Sequence, residues 1–247
     1  MKTFGLIGYP LTHSFSKKYF TAQFEREGTA DSQYELFPLE KIEDIINLVG
    51  NDAFLSGLNV TIPHKVSVLP YLAEIDPAAA AIGAVNCIAI QHQEGEVLLK
   101  GYNTDAFGFA ESLKPYLKEQ HTQALILGNG GAAKAVKYVL DQLSISYQSV
   151  VRTAVAGAIT YEEISEELMR SHLLIINTTP LGTFPNVDDA PSIPYHLITS
   201  GHLAYDLVYN PEETAFLKQA KAQGAAVKNG LEMLHLQADR SWAIWNS

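Results

Sequence analysis

The apolar run Leu125-Ile126-Leu127 stops at Gly128-Asn129-Gly130-Gly131-Ala132-Ala133, and the helix-forming stretch Lys134-Ala135-Val136 follows at once. This is how a parallel strand feeds a helix through a tight turn. Gly128 permits the turn, Gly130 lets a ligand approach the backbone, and small Ala133 lets helix and strand pack closely. Unpaired N–H groups at the helix start, together with the helix dipole, favour a pyrophosphate there. Alone, the same letters also describe a strand–helix turn that binds nothing.

The surrounding chain alternates strands and helices, which predicts an α/β protein. Apolar runs predict strands over 4–8, 34–37, 58–62 and 84–90. Helices are expected over 16–28, with Ser14 or Ser16 as cap, over 39–49, and over 77–82. Glu94-Gly95 reads as a hairpin turn. A helix over about 105–118 leads into a second α/β unit. Its expected strands are 124–128, 147–151, 173–176, 203–208 and 225–227. Its expected helices are 132–143, 161–169, 212–222 and 231–245. The segment 180–194, rich in Pro, Gly and Asp, is expected to be a long loop. Two domains follow: residues 1–103 completed by a C-terminal helix over 230–247, and a Rossmann-like domain over 104–229, with a cleft between them.

Composition narrows the class. The chain has 247 residues, 47% hydrophobic and 18% charged, which suits a folded protein with a sizeable core. Its net charge of −10 argues against nucleic acid or anionic membrane as a partner. The single cysteine, Cys87, excludes an intrachain disulfide and points to the cytoplasm. The first residues read as a short strand rather than a signal peptide. No run of about 18 apolar residues predicts a membrane span. The eight histidines are scattered with no His-x-x-x-His pair, so no metal site is expected.

The strand after the glycine turn ends in Val151-Arg152-Thr153. An NAD site ordinarily places a carboxylate there for the ribose 2′-hydroxyl. A guanidinium suits a 2′-phosphate instead, so the expected cofactor is NADP. In the first half, polar residues gather where strands end. Ser14 and Ser16 flank a helix start, a cradle for a carboxylate or a simple cap. Asn59, Thr61 and Lys65 share one strand end and turn, Asn86 closes another strand, and Asp105 opens a helix. Amide, hydroxyl, ammonium and carboxylate together suit a polyhydroxylated acid.

A series of motifs runs along nearly the whole chain: Gly8-Tyr9-Pro10 with His13-Ser14-Phe15-Ser16, Gly57-Leu58-Asn59-Val60-Thr61-Ile62-Pro63-His64-Lys65, and Gly83-Ala84-Val85-Asn86. Gly101-Tyr102-Asn103-Thr104-Asp105-Ala106-Phe107-Gly108, the glycine turn, and Asn177-Thr178-Thr179-Pro180-Leu181-Gly182 continue it. Asp206-Leu207-Val208-Tyr209-Asn210-Pro211 and Asn229-Gly230-Leu231-Glu232-Met233-Leu234 with Gln237-Ala238 complete it. In these motifs and their order the chain resembles the shikimate dehydrogenase family.

The resemblance implies reversible reduction of 3-dehydroshikimate to shikimate with NADPH, in aromatic amino-acid biosynthesis. It implies that Lys65 and Asp105 are the catalytic pair. It implies that Ser14 and Ser16 hold the substrate carboxylate, and that Thr61, Asn86, Asp105, Tyr209 and Gln237 contact the rest. The implied cofactor site is Gly128, Asn129, Gly130, Gly131, Ala132, Arg152, Thr153, Leu207 and Gly230. The expected assembly is a monomer or homodimer. The chemistry agrees with the family: ketone reduction needs a proton on oxygen, which a lysine ammonium can donate while stabilising the developing oxyanion.

Several positions depart from the family pattern. Lys17 stands for a proline, Phe20-Thr21 for His-Asn, Cys87 for Thr, Thr183 for Met and Val151 for Asn. Ala154-Val155-Ala156-Gly157 lacks a second arginine, so NADPH preference is expected with weaker discrimination against NADH. Two rival readings share most of these motifs: a quinate/shikimate dehydrogenase using NAD, and a catalytically inactive nucleotide-binding homologue.

Overall fold

The computed structural model describes residues 1–11, 15–29, 31–93 and 96–247. The chain divides into two compact units, Met1–Asp105 with Gln237–Ser247, and Ala106–Leu236. The expected architecture of two α/β domains holds, with one six-stranded sheet in each.

The first unit runs β1 (Lys2–Gly8), α1 (Phe15–Glu27), β2 (Ser32–Pro38), α2 (Ile45–Asn51), β3 (Leu55–Val60), α3 (His64–Ser67), β4 (Glu74–Ile75), α4 (Pro77–Ile82), β5 (Cys87–Gln93) and β6 (Glu96–Tyr102). Strand order is β2-β1-β3-β5-β6-β4. β5 pairs antiparallel with both β3 and β6, and the other pairs are parallel. Local chemistry explains several ends. α1 stops at Gly28, whose φ of 67° is a left-handed cap. α4 opens on Asp76, which accepts from the Ala78 and Ala79 amides at 3.0 and 3.4 Å, and it closes on left-handed Gly83.

The second unit begins in α5 (Thr104–Leu113). It continues through β7 (Gln123–Leu127), α6 (Gly131–Gln142), β8 (Ser146–Val151), β9 (Ala158–Thr160), α7 (Glu166–Ser171), β10 (Leu174–Asn177), β11 (Leu203–Asp206), α8 (Ala215–Ala222) and β12 (Ala226–Lys228) into α9 (Leu231–Trp245). All five strand pairs are parallel, in the order β12-β11-β10-β7-β8-β9. Numbered within the unit this is 6-5-4-1-2-3, the order of a doubly wound dinucleotide fold. Its switch point lies between β7 and β10. Strands flanked on both faces must be apolar throughout, and β7, β10 and β11 are almost entirely buried.

The sequence misplaced some elements. The helix expected over 39–49 is a 3-10 turn at Ile42–Asp44 followed by α2. The Leu39 amide is tied to the Gly8 carbonyl at 3.0 Å, which keeps the preceding chain extended. Ile42, Ile45 and Val49 are buried, but Ile46 lies off that face and is 61% exposed. The helix expected to reach 118 leaves α-geometry after Leu113, because Pro115 has no amide to continue the ladder. Residues 161–169 split into a 3-10 turn and α7, which opens at the Ser165 cap. β4 and β9, of two and three residues, carry no periodicity of their own. The Glu94-Gly95 turn lies outside the described residues, although Gln93 and Glu96 pair across β5 and β6 as a hairpin requires.

The end of α9 completes the first core. Trp245 stacks on Phe4 with ring centroids 4.9 Å apart and donates to the Ile88 carbonyl at 3.0 Å. Trp242 meets Phe4 edge-on at 5.4 Å. A side chain at Gly57 would collide with the Trp245 indole, so glycine is needed for that packing.

Candidate active site

Lys65 lies on α3, the short helix after β3. Buried His64 anchors that turn through its ring and the Leu39 carbonyl, 2.7 Å apart. The Lys65 carbonyl accepts from the Val85 amide at 2.8 Å. With its backbone held at both ends, Lys65 extends Nζ to Asp105 Oδ2 at 2.5 Å. The pair is largely covered, at 18% and 10% side-chain exposure, so solvent screens it far less than a surface pair.

Asn86 fixes the other carboxylate oxygen. Its Nδ2 donates to Asp105 Oδ1 at 2.8 Å and to Thr104 Oγ1 at 3.0 Å. Its Oδ1 accepts from the Thr104 amide at 2.6 Å. Gln237 Oε1 lies 3.4 Å from both Asn86 Nδ2 and Thr104 Oγ1. Four residues named from the sequence, Lys65, Asn86, Asp105 and Gln237, therefore stand in one polar cluster. Thr61 follows β3 with its amide on the Ile7 carbonyl at 2.9 Å. Gly8 must be glycine there, because a Cβ would run into the Thr61 methyl.

The cluster reaches further than the sequence reading did. Thr104 Oγ1 is 3.2 Å from Ser241 Oγ, and Asn59 Nδ2 donates to Ser241 Oγ at 3.1 Å. Tyr34 donates its hydroxyl to Asn59 Oδ1 at 2.8 Å. Burial holds the Tyr34 phenol well above its usual pKa, and the Ser16 hydroxyl acts in the opposite sense. Thr104, Ser241 and Tyr34 have no role in the sequence reading, and Asn59 appears there only among the strand-end polar residues. The available signals were Asn59, a polar residue inside a buried strand, and Ser241, one helical turn beyond Gln237. Ser14 lies outside the described residues.

In the second unit, Gly128 adopts φ of 109° directly after β7, a conformation that favours glycine. Its amide bonds the Val150 carbonyl at 2.8 Å, and an added Cβ would sit 2.7 Å from Thr178 Oγ1. Thr178 in turn donates its hydroxyl to the Leu127 carbonyl at 2.8 Å. The turn thus lies between the ends of β7 and β10, at the switch point. Gly130 caps α6 in extended conformation with no side chain bonded to the helix amides. A Cβ on Gly130 would meet nothing within 4 Å, so the front of the helix start at Gly131 and Ala132 is open. Uncapped amides and an open approach fit a dinucleotide phosphate. Arg152 and Thr153 follow β8 and are exposed. Leu207 and Gly230 meet: the Gly230 amide bonds the Val208 carbonyl at 3.2 Å, and a Cβ would strike the Leu207 carbonyl. Tyr209 lies in the loop after β11, where burial raises its phenol pKa.

Asp206 closes β11 as a fully buried carboxylate. It accepts from Asn177 Nδ2 at 2.9 Å, the Val208 amide at 3.0 Å and Thr214 Oγ1 at 2.6 Å. Asn177 also holds Thr179 through both its amide and hydroxyl. One carboxylate thereby ties the loops after β10 and β11 to the start of α8. Burial pushes its pKa up from 3.8 to about 6 against those donors. Among the described residues no group of three His, Cys, Asp or Glu side chains could hold a metal, and no helix is long and apolar enough to cross a membrane.

Known proteins are similar to this chain over nearly its whole length. Residues 6–88 match the shikimate dehydrogenase substrate binding domain. Shikimate dehydrogenase (NADP(+)) of Clostridium beijerinckii is 40% identical over 99% of this chain and 92% of its own length. That of Desulforamulus reducens is 34% identical over 98% and 88%. The crystal structure of Thermus thermophilus shikimate 5-dehydrogenase in complex with NADP(H) and shikimate superposes with TM-score 0.84. It is 33% identical over 99% of this chain and 93% of that one. Quinate dehydrogenase of Corynebacterium glutamicum in complex with NAD superposes with TM-score 0.86 at 25% identity, over 99% and 93%. With these full-length identities, and with Lys65, Asn86, Asp105 and Gln237 gathered in one cluster, the chain belongs to the shikimate dehydrogenase family.

Proposed function

We propose that this protein is an NADP-dependent shikimate dehydrogenase that reduces 3-dehydroshikimate to shikimate, reversibly, in the cytoplasm. The observation that carries the reading is the covered Lys65–Asp105 pair, braced by Asn86 on the second carboxylate oxygen. Bound NADPH supplies the hydride. Lys65 donates the proton to the carbonyl oxygen and stabilises the negative charge developing on it. Asp105 holds the ammonium in place, and Asn86 stops the carboxylate from turning away. In the oxidative direction a neutral Lys65 accepts the hydroxyl proton, so the two groups act as one coupled unit.

Ser14 and Ser16 take the substrate carboxylate in this reading, and Thr61, Asn86, Asp105, Tyr209 and Gln237 take its hydroxyls. The open front of α6, from Gly128 through Ala132, takes the pyrophosphate. Arg152 and Thr153 take the 2′-phosphate, while Leu207 and Gly230 border the same cofactor. The exposed guanidinium at the end of β8, where an NAD site carries a carboxylate, favours NADP over the quinate-type alternative.

The test is absorbance at the nicotinamide band with 3-dehydroshikimate and NADPH, then shikimate and quinate, each with NADP and with NAD. Turnover of shikimate with NADP at the highest kcat/KM is expected. No turnover with either cofactor overturns the enzyme reading, and faster turnover of quinate with NAD overturns the substrate and cofactor assignment.

A further inference from the structure

Lys137 stands in the second turn of α6, and its Nζ donates to Asn129 Oδ1 at 2.7 Å. Asn129 is the residue between Gly128 and Gly130, in the middle of the glycine turn. A helix side chain therefore folds back to the glycine turn at the N-terminal end of its own helix.

Its partner is a neutral group. Lys65, Lys100, Lys114, Lys221 and Lys228 each pair with a carboxylate. Lys137 is half-buried, and among the described residues its partner is the neutral Asn129 amide. Burial without a countercharge holds its pKa below the ordinary lysine value. An ammonium has three donors, and one amide oxygen occupies one of them. A half-buried cation paired this way gains from an incoming anion more than an ion-paired lysine does.

We propose that Lys137 is a phosphate-binding residue of the dinucleotide site, its ammonium held over the glycine turn by Asn129 and directed to a phosphate oxygen. The proposal rests on the NADP reading above. Residues 151–157 contain one cation, Arg152. Lys137 supplies a second, on α6 rather than after β8. The pyrophosphate and the 2′-phosphate offer the same chemistry, and the two nicotinamide nucleotides separate them.

The experiment is a binding titration of the full-length protein with NADPH and with NADH, read by nicotinamide fluorescence without turnover. Wild type, Lys137→Gln, Lys137→Leu and Lys137→Arg are compared, and thermal melting without nucleotide verifies the fold. The neutral variants are expected to bind NADPH about tenfold or more weakly, as for loss of a hydrogen bond to a charged group. Lys137→Arg is expected to keep most of the affinity. Equal loss for NADPH and NADH places the ammonium on the pyrophosphate, and loss for NADPH alone places it on the 2′-phosphate; both outcomes support the proposal. Affinities within twofold of wild type for both nucleotides in either folded neutral variant overturn it. Failure of the wild type to bind either nucleotide overturns the NADP reading itself, a result distinct from an unaffected variant.

Discussion

Asn86 donates to Asp105 Oδ1 at 2.8 Å, on the carboxylate oxygen that Lys65 leaves untouched. The ammonium holds one side of the carboxylate and the amide holds the other. Asn86 is itself locked, because its Oδ1 accepts the Thr104 amide at 2.6 Å. The orientation of Lys65, the proposed proton donor, therefore depends on residues that need not touch the reacting carbonyl.

Lys65→Ala removes the proposed proton donor. Turnover is expected to fall by about 10²–10⁴-fold, the usual contribution of general acid–base catalysis. NADPH affinity, measured by fluorescence titration, is expected to stay near wild type. Unimpaired turnover would remove Lys65 from the mechanism.

Tyr34→Phe deletes the donor to Asn59 Oδ1 inside a buried network. The amide oxygen loses its partner, and a cost of about 1–3 kcal/mol is expected in chemical denaturation. A stability equal to wild type would mean that a water replaces the hydroxyl.

Asp206 gives a pH signature of uncommon sign. Its folded pKa of about 6 lies above the ordinary 3.8, so between those values the folded state binds the proton more tightly than the unfolded chain. This group's contribution to stability therefore grows as pH falls from 6 towards 4, by up to about 3 kcal/mol. A carboxylate held in a salt bridge does the reverse. Unfolding free energies of wild type and Asp206→Asn, compared from pH 7 to pH 4, are expected to diverge towards acid in favour of wild type. A difference that stays constant across that range contradicts the assignment.

Gly230→Ala pushes a methyl group into the Leu207 carbonyl. The start of α9 has to move, and a destabilisation of about 1–3 kcal/mol is expected. NADPH affinity should weaken with it, since both residues border the proposed cofactor site. Melting and nucleotide titration read the two effects separately.

Arg152→Gln should weaken NADPH binding about tenfold while leaving NADH within twofold, as expected for a charged hydrogen bond to the 2′-phosphate. Equal effects on both nucleotides would place the guanidinium elsewhere.

Much of this was legible in the residues because the relevant constraints are local. A doubly covered strand must be apolar, so β7, β10 and β11 stand out as buried runs. The glycine turn declares itself because Gly128 adopts φ of 109° and Gly130 must leave the helix start open. Asp76-Pro77 and Gly83 bracket α4 for equally local reasons. By contrast, β4 and β9 are too short to show a period and take shape from their neighbours. Ile46 is as apolar as Ile42, Ile45 and Val49, yet the rotation of α2 is set by what those three pack against.

By itself, the sequence determined the α/β class, the parallel dinucleotide fold, the family, and the identities of Lys65, Asn86, Asp105 and Gln237. Lys65, Asn86 and Asp105 stand at a strand end or helix start, while Gln237 lies within α9. Only the tertiary structure decided which of these groups bond to one another. It showed that Thr104, Ser241, Asn59 and Tyr34 extend the cluster, that Asp206 ties two loops to α8, and that Lys137 returns to Asn129. A hydrogen bond between residues 182 positions apart, as between Asn59 and Ser241, leaves no periodic trace along the chain. Its partners meet because packing around Phe4 and Trp245 seats α9 against the first sheet.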